Sequence, residues 1–187
     1  MNKAIIFCAP SGSGKTTIVK HLLQHNTLLM FSISACTRQK RANETDGVDY
    51  YFLSVETFKK KIQNNEFLEY EEVYGGNFYG TLKSEIQRIW SLNKVVVFDV
   101  DVEGGLNLKN YFKEKALAVF VKPPGIDILK QRLVERNSET PETLQMRIEK
   151  AIHELQYENR FDKVILNDTL DHALQEAEQA VKEFLNQ

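Results

Sequence analysis

The chain has 187 residues, of which 27% are charged, and its net charge is −2 at neutral pH. That length suits one α/β unit with an inserted piece, or two small domains, and either buries a real core. The charge balance gives no footprint for nucleic acid, and the longest apolar runs, such as Ala116 to Val121, are far too short to span a bilayer, so the expected partner is a small anion.

Asn2 to Cys8 reads as a strand, and Thr16 to His25 as a helix with Ile18, Leu22 and Leu23 on one face. Between them lies Ser11-Gly12-Ser13-Gly14-Lys15-Thr16-Thr17. Small residues there let successive backbone N–H groups turn inward around a polyphosphate. Lys15 can reach the outer phosphates, and the Thr16 hydroxyl can ligate a magnesium ion. A plain Gly/Ser turn is the bland alternative, disfavoured by the strand–loop–helix setting, and a bound nucleoside triphosphate is the expectation. Ala9 stands where such loops usually open with glycine, which requires a negative φ at that position.

A second strand is expected over Leu28 to Ser34, after which the pattern changes. From about Ser34 to Thr81 the chain is polar and rich in Arg and Tyr, with a short aromatic strand at Asp49 to Phe52, a helix near Val55 to Asn64 and a strand from Phe67 to Val73. This stretch reads as an insertion. Alternation resumes with a helix near Leu82 to Leu92, a strand from Lys94 to Val100, a short helix near Gly104 to Phe112 and a strand from Lys115 to Val121. Continuous β-branched runs such as Val95-Val96-Val97 indicate strands buried on both faces, hence a mostly parallel sheet.

The remainder reads as a helix (Gly125 to Arg136), a polar break, a long helix (Glu142 to Glu158), a strand (Asp162 to Leu166) and a last helix (Leu170 to Leu185). Thr140-Pro141 is a good start for the long helix, with Thr as N-cap and Pro at the first helical position. Cys8 in a strand and Cys36 in a polar loop offer neither metal spacing nor a disulfide framework. Only Lys3 precedes the first apolar run and no cleavage site is visible, so the expected location is the cytoplasm. No long exposed heptad or apolar stripe specifies an oligomeric state.

Asp99-Val100-Asp101 closes a strand at the carboxyl edge of the expected parallel sheet, where such sheets bind ligands. Either carboxylate could hold the metal, or merely cap the next helix. In the insertion, Arg38 and Arg41 with Tyr50 and Tyr79 make a good phosphate cradle, although a loop arginine is as often a solvated charge. Glu69 is odder, because it sits mid-strand between Leu68 and Tyr70, where alternation alone could turn it to solvent.

Over essentially its whole length the chain resembles the guanylate kinases. The resemblance rests on Pro10 to Lys15, Thr37-Arg38 with Arg41 and Glu44, Gly47 to Phe52, Glu66 to Tyr70, Tyr79-Gly80-Thr81, Asp99-Val100-Asp101 with Gly104, Arg132-Leu133 with Arg136, and Val164 to Asp168. It implies an α/β fold: a P-loop NTPase-type core over residues 1–33 and 82–187 with a mostly parallel sheet flanked by helices, a helical lid about 126–158, and a GMP-binding insertion over 34–81. The implied reaction moves the γ-phosphoryl group of ATP to GMP with a magnesium ion.

The resemblance also implies residue roles. Ser34, Glu69 and Thr81 would select guanine, whose N1–H and 2-amino donors match one carboxylate. Arg38, Arg41, Tyr50 and Tyr79 would hold the GMP phosphate, with Asp101 also on the GMP side. Gly12, Ser13, Gly14, Lys15, Thr16 and Thr17 would hold ATP, with Asn167 and Asp168 beside its adenine, while Thr16 and Asp99 take the metal. Lys15, Arg41, Arg136 and Arg147 would supply charge along the reaction line, with Arg132 a weaker candidate. Lys40, Asn43, Glu103 and Asn137 depart from the family pattern beside these positions.

Two other readings are a phosphotransferase for a different nucleoside monophosphate and a catalytically silent domain that binds peptides or protein partners. Glu69 argues against the first. The joint presence of Lys15, Thr16, Asp99 and the lid arginines argues against the second.

Overall fold

A computed structural model describes residues 2–73, 76–135 and 141–187. In chain order these form β1 (Ala4–Cys8), α1 (Lys15–His25), β2 (Leu29–Phe31), β3 (Ala35–Cys36), β4 (Tyr51–Phe52), α2 (Val55–Gln63), β5 (Phe67–Val73) and β6 (Asn77–Leu82). There follow α3 (Lys83–Ser91), β7 (Val95–Val100), α4 (Val102–Phe112), β8 (Ala116–Lys122), α5 (Ile126–Glu135), α6 (Pro141–Leu155), β9 (Lys163–Leu166) and α7 (Leu170–Leu185).

Every residue of β1 is buried, and the strand's alternation sorts its side chains onto two faces. Ile5 and Phe7 pack with Ile18 and Leu22 of α1 and with Ala177 and Phe184 of α7. On the other face Ala4, Ile6 and Cys8 pack with Ile86 and Ile89 of α3 and with Leu108 and Phe112 of α4. A strand apolar on both sides needs neighbours of the same kind, and β7 and β8 supply them in parallel register on either side. The result is a five-stranded sheet in the order β2-β7-β1-β8-β9, parallel at every pairing. This parallel sheet between helices agrees with the sequence expectation.

The strand expected over Leu28 to Ser34 divides. Only Leu29–Phe31 pairs with β7, Ser32 adds one bond to the Val97 carbonyl at 2.9 Å, and Ala35–Cys36 then joins a different sheet. Cys36 is therefore fully buried in β3 and not in a polar loop. That second sheet is four-stranded and mixed, in the order β4-β3-β6-β5, with Phe58 of α2 packed on Phe67 and Phe78.

Its strand β6 was not expected from the sequence. Gly80 masks it: a Cβ there would lie 2.7 Å from the Glu69 carbonyl, so the residue that reads as a strand breaker is what lets β5 and β6 approach. Leu129 and Leu133 of α5 pack against Ala151, Leu144 and Ile148 of α6 in a separate helical hairpin. The polar break and its Thr140 cap lie outside the described residues. Among those that are described, no helix is long and apolar enough to cross a membrane.

Candidate active site

The end of β1 leads into a loop held by its own backbone. Ser13 donates to the Pro10 carbonyl through its N–H at 3.2 Å and its hydroxyl at 2.8 Å. Gly14, with φ 86°, is the N-cap of α1, and a Cβ on it would lie 2.3 Å from Nδ2 of Asn167. Only glycine fits that left-handed, crowded position. Ala9, by contrast, enters the loop from an ordinary backbone region: among described residues only Asn65, Asn93 and Lys113 combine a side chain with a positive φ. The first free N–H groups of α1 thus face the loop mouth, where an anion finds donors and the positive end of the helix dipole.

At that mouth Lys15 Nζ lies 2.6 Å from Asp99 Oδ1 and also donates to the Val100 carbonyl. The Thr16 hydroxyl donates to the other carboxylate oxygen of Asp99 at 2.9 Å. Asp99 therefore gathers the two residues on which phosphate and metal expectations rest. A cavity of about 390 Å³ opens above them, bounded by Gly12, Lys15, Thr17, Asp101 and, from α6, Arg147 and Lys150.

A second cavity, of about 350 Å³, lies between the mixed sheet and the end of β7, bounded by Ser34, Tyr50, Glu69, Tyr79, Asp101 and Gly104. Thr81, opposite Glu69 in the β5–β6 register, donates its hydroxyl to Glu69 Oε1 at 2.7 Å. Burial pushes the Glu69 carboxyl above its ordinary range, with the Thr81 bond opposing. Glu69 is thus not the solvent-facing residue that alternation permits.

Arg38 forms a bidentate pair with Glu44, both contacts at 2.6 Å, and its Nε donates to the Tyr79 hydroxyl at 3.1 Å. Its guanidinium lies 4.8 Å from the Tyr50 ring centre. The Arg38 hydrogen bonds, followed by the backbone N–H of Arg41, hold the Glu44 carboxyl down at about 2. Arg41 itself is exposed on the same loop.

The two cavities share Asp99, Val100 and Asp101. The two carboxylates are used differently. Asp101 lies past the end of β7 and caps α4, with Oδ1 accepting from the Gly104 N–H at 2.9 Å, while its Oδ2 meets Lys150 at 3.1 Å. From the helical hairpin, Arg147 donates to the Ser11 hydroxyl at 2.7 Å, and Arg132 Nη1 reaches the Gly12 carbonyl at 3.4 Å.

Asn167 is 5% exposed and gives its amide to the Ser13 carbonyl at 2.7 Å, behind the loop. Asp168 is exposed and accepts from the Thr169 N–H at 2.6 Å, apart from the residues that bound the first cavity. Arg136 lies outside the described residues.

Sequence reasoning missed Lys150 and Glu154. They follow Arg147 at helical spacing, which was the available signal. Glu154 lines the first cavity, 3.7 Å from Lys150, and burial pushes its carboxyl up to about 7.

A family model described as guanylate kinase matches residues 1–184 of this chain. A guanylate kinase of Bacteroides fragilis is 53% identical over 183 residues, which cover 98% of this chain and 90% of that one. The guanylate kinase of Porphyromonas gingivalis is 46% identical over 186 residues, 99% of each chain. Among solved structures, a crystal structure of guanylate kinase from Anaplasma phagocytophilum has a TM-score of 0.74 at 24% identity, covering 98% of this chain and 85% of that one, and speaks for the fold.

Proposed function

Because the chain belongs to the guanylate kinase family, we propose that its two joined cavities are the donor and acceptor halves of one site, ATP in the first and GMP in the second. The reaction is transfer of the γ-phosphoryl group of ATP to GMP, giving ADP and GDP. The observation that carries the division of the site is the shared rim Asp99 to Asp101, which sets the two cavities end to end.

In this reading residues 1–33 and 82–187 form the core, 34–81 the GMP-binding insertion and about 126–158 the lid. The loop from Gly12 to Thr17 cradles the ATP phosphates, and Lys15 leaves Asp99 for their outer oxygens. Asn167 acts on ATP by holding the loop through Ser13, and Asp168 lies toward the base. On the acceptor side Glu69 accepts from guanine N1–H and the 2-amino group, and the Ser34 and Thr81 hydroxyls complete the edge. Adenine would set an acceptor against the carboxylate and is rejected by about 10⁴ or more. Arg38, Arg41, Tyr50 and Tyr79 hold the phosphate, with Glu44 keeping the Arg38 fork in place until that anion arrives. Asp101 marks the junction.

The family requires a divalent metal. The Thr16 hydroxyl and Asp99 carboxylate are neighbouring hard oxygen donors, a set that fits magnesium completed by phosphate oxygens. When bound there, magnesium supplies neutralising charge to the phosphates. The GMP phosphate is already anionic, so no general base is needed, and the chain's own contribution is alignment and positive charge from Lys15, Arg41, Arg136 and Arg147. Closure of α6 over the cleft excludes water, which would otherwise compete as acceptor.

The test is ADP formation from ATP and magnesium with GMP, AMP, UMP and CMP side by side. Turnover with GMP alone is expected. With ATP and GMP saturating, Arg147→Ala is expected to lower kcat by roughly a hundredfold, the usual cost of one charge-stabilising donor. An unchanged kcat removes Arg147 from the reaction line.

A further inference from the structure

Outside the two cavities, the most heavily hydrogen-bonded buried charge among the described residues is Glu85. It lies in the first turn of α3 and is 2% exposed. Four donors converge on its carboxylate. Arg88, one turn on, gives Nη2 to Oε1 at 2.8 Å and Nε to Oε2 at 2.9 Å. The Ile33 N–H donates to Oε1 at 3.1 Å, and the Tyr51 hydroxyl donates to Oε2 at 2.9 Å. Four donors saturate the lone pairs of a carboxylate. Burial opposes ionisation of Glu85, and the bonds from Arg88, Ile33 and Tyr51 outweigh it, holding the carboxyl below its usual range.

The position of those donors matters more than their number. Ser32 is the last residue bonded to the parallel sheet, and Ala35 is the first of β3 in the mixed sheet. Ile33 and Ser34 are thus the link by which the chain leaves the core. Glu85 holds the residue before Ser34 directly. It holds the residue's other side through Tyr51, whose backbone N–H donates to the Ser34 carbonyl at 2.9 Å. A serine on a two-residue link would otherwise be free to turn, and here it is bracketed from the rigid face of α3, whose next residue, Ile86, lies in the core.

We propose that Glu85, with Tyr51, is a positioning residue for guanine recognition: it fixes the link between the two sheets so that the Ser34 hydroxyl meets the O6 edge of the base. This rests on the assignment of Ser34 to the base made above. Arg88 serves as counter-ion that makes the buried carboxylate tolerable, leaving its remaining lone pairs for the link and the tyrosine.

O6 is present in both GMP and IMP, whereas the 2-amino group that faces Glu69 is present only in GMP. A defect in Ser34 placement therefore raises KM for both acceptors by the same factor, while a defect at Glu69 separates them. The experiment measures kcat and KM for GMP, IMP and ATP in Tyr51→Phe, Glu85→Gln, Ser34→Ala and the double variant Ser34→Ala/Tyr51→Phe.

Tyr51→Phe is expected to raise KM for GMP and IMP equally, by roughly fivefold as one hydrogen bond allows, with kcat and the KM for ATP unchanged. Glu85→Gln is expected to raise both by more. In the Ser34→Ala background the Tyr51→Phe change is expected to add less than about twofold, since the two act through one contact. Should Glu85→Gln fail to fold, Tyr51→Phe, which deletes only a hydroxyl, carries the test.

A Tyr51→Phe protein with unaltered KM values, or one whose effect adds in full to that of Ser34→Ala, overturns the inference. If Ser34→Ala raises KM and Tyr51→Phe does not, the inference alone falls. If Ser34→Ala itself leaves KM for GMP and IMP unchanged, the assignment of Ser34 to the base falls, and this inference with it.

Discussion

Glu69 shows what one buried carboxylate imposes on a binding step. Burial has raised its carboxyl, so the neutral form begins to accumulate nearer neutrality than it would for an exposed glutamate. Only the ionised form accepts from both guanine donors. The sign follows: kcat/KM for GMP is expected to fall as pH drops through that raised value, since kcat/KM reports groups of the free enzyme. Glu69→Gln is expected to lower kcat/KM and to lose this acid limb, and a pH profile with the limb unchanged would assign it elsewhere. The sequence exposed Glu69 as out of place but not which way it faces. That depends on the register irregularity between Phe67 and Glu69 and on the nearness of Gly104 in α4, which no strand period encodes.

Among the elements, α6 carries the most chemistry per turn, with Arg147, Lys150 and Glu154 on the face toward the cleft. Glu154 gives that face a measurable cost. Its carboxyl titrates at about 7 in the fold against 4.5 in an exposed chain, with burial as the chief cause. Between those values the folded protein holds a proton that the unfolded chain has lost. Stability contributed by the neutral carboxyl is therefore complete below pH 4.5 and is lost as pH rises through about 7. Glu154→Gln is expected to remove that decline, so that urea midpoints of variant and parent agree in acid and the variant's is higher above neutrality. Parallel curves across the whole range would refute the placement.

The α6 helix was legible from its periodicity and from the proline that opens it, as were β1, β7 and β8 from their continuous apolar runs. The pieces that failed are short or glycine-bearing. β3 is two residues long, too short for any period to register, and β6 is hidden by Gly80, whereas β4 falls within the aromatic strand expected at Asp49 to Phe52. Lys150 and Glu154 read as ordinary helix charges because only the packing of α6 brings them beside Asp101.

For the molecule as a whole, the parallel sheet is assembled from segments spread along the chain and the mixed sheet from the single stretch 35–82, and the two meet at the Ile33–Ser34 link and the Asp99 to Asp101 rim. Each sheet also carries one buried thiol, Cys8 in β1 and Cys36 in β3, both free and fully shielded from solvent. Burial raises both thiols above their ordinary titration range, so neither reacts while its sheet is closed. The chain thus contains two internal clocks, each running only when its own sheet opens. Followed by mass spectrometry of the two labelled peptides, ATP alone is expected to slow alkylation of Cys8 and GMP alone that of Cys36, each by roughly a hundredfold at a hundred times the dissociation constant. Equal slowing of both clocks by either nucleotide would mean that the sheets open together, as one cooperative unit.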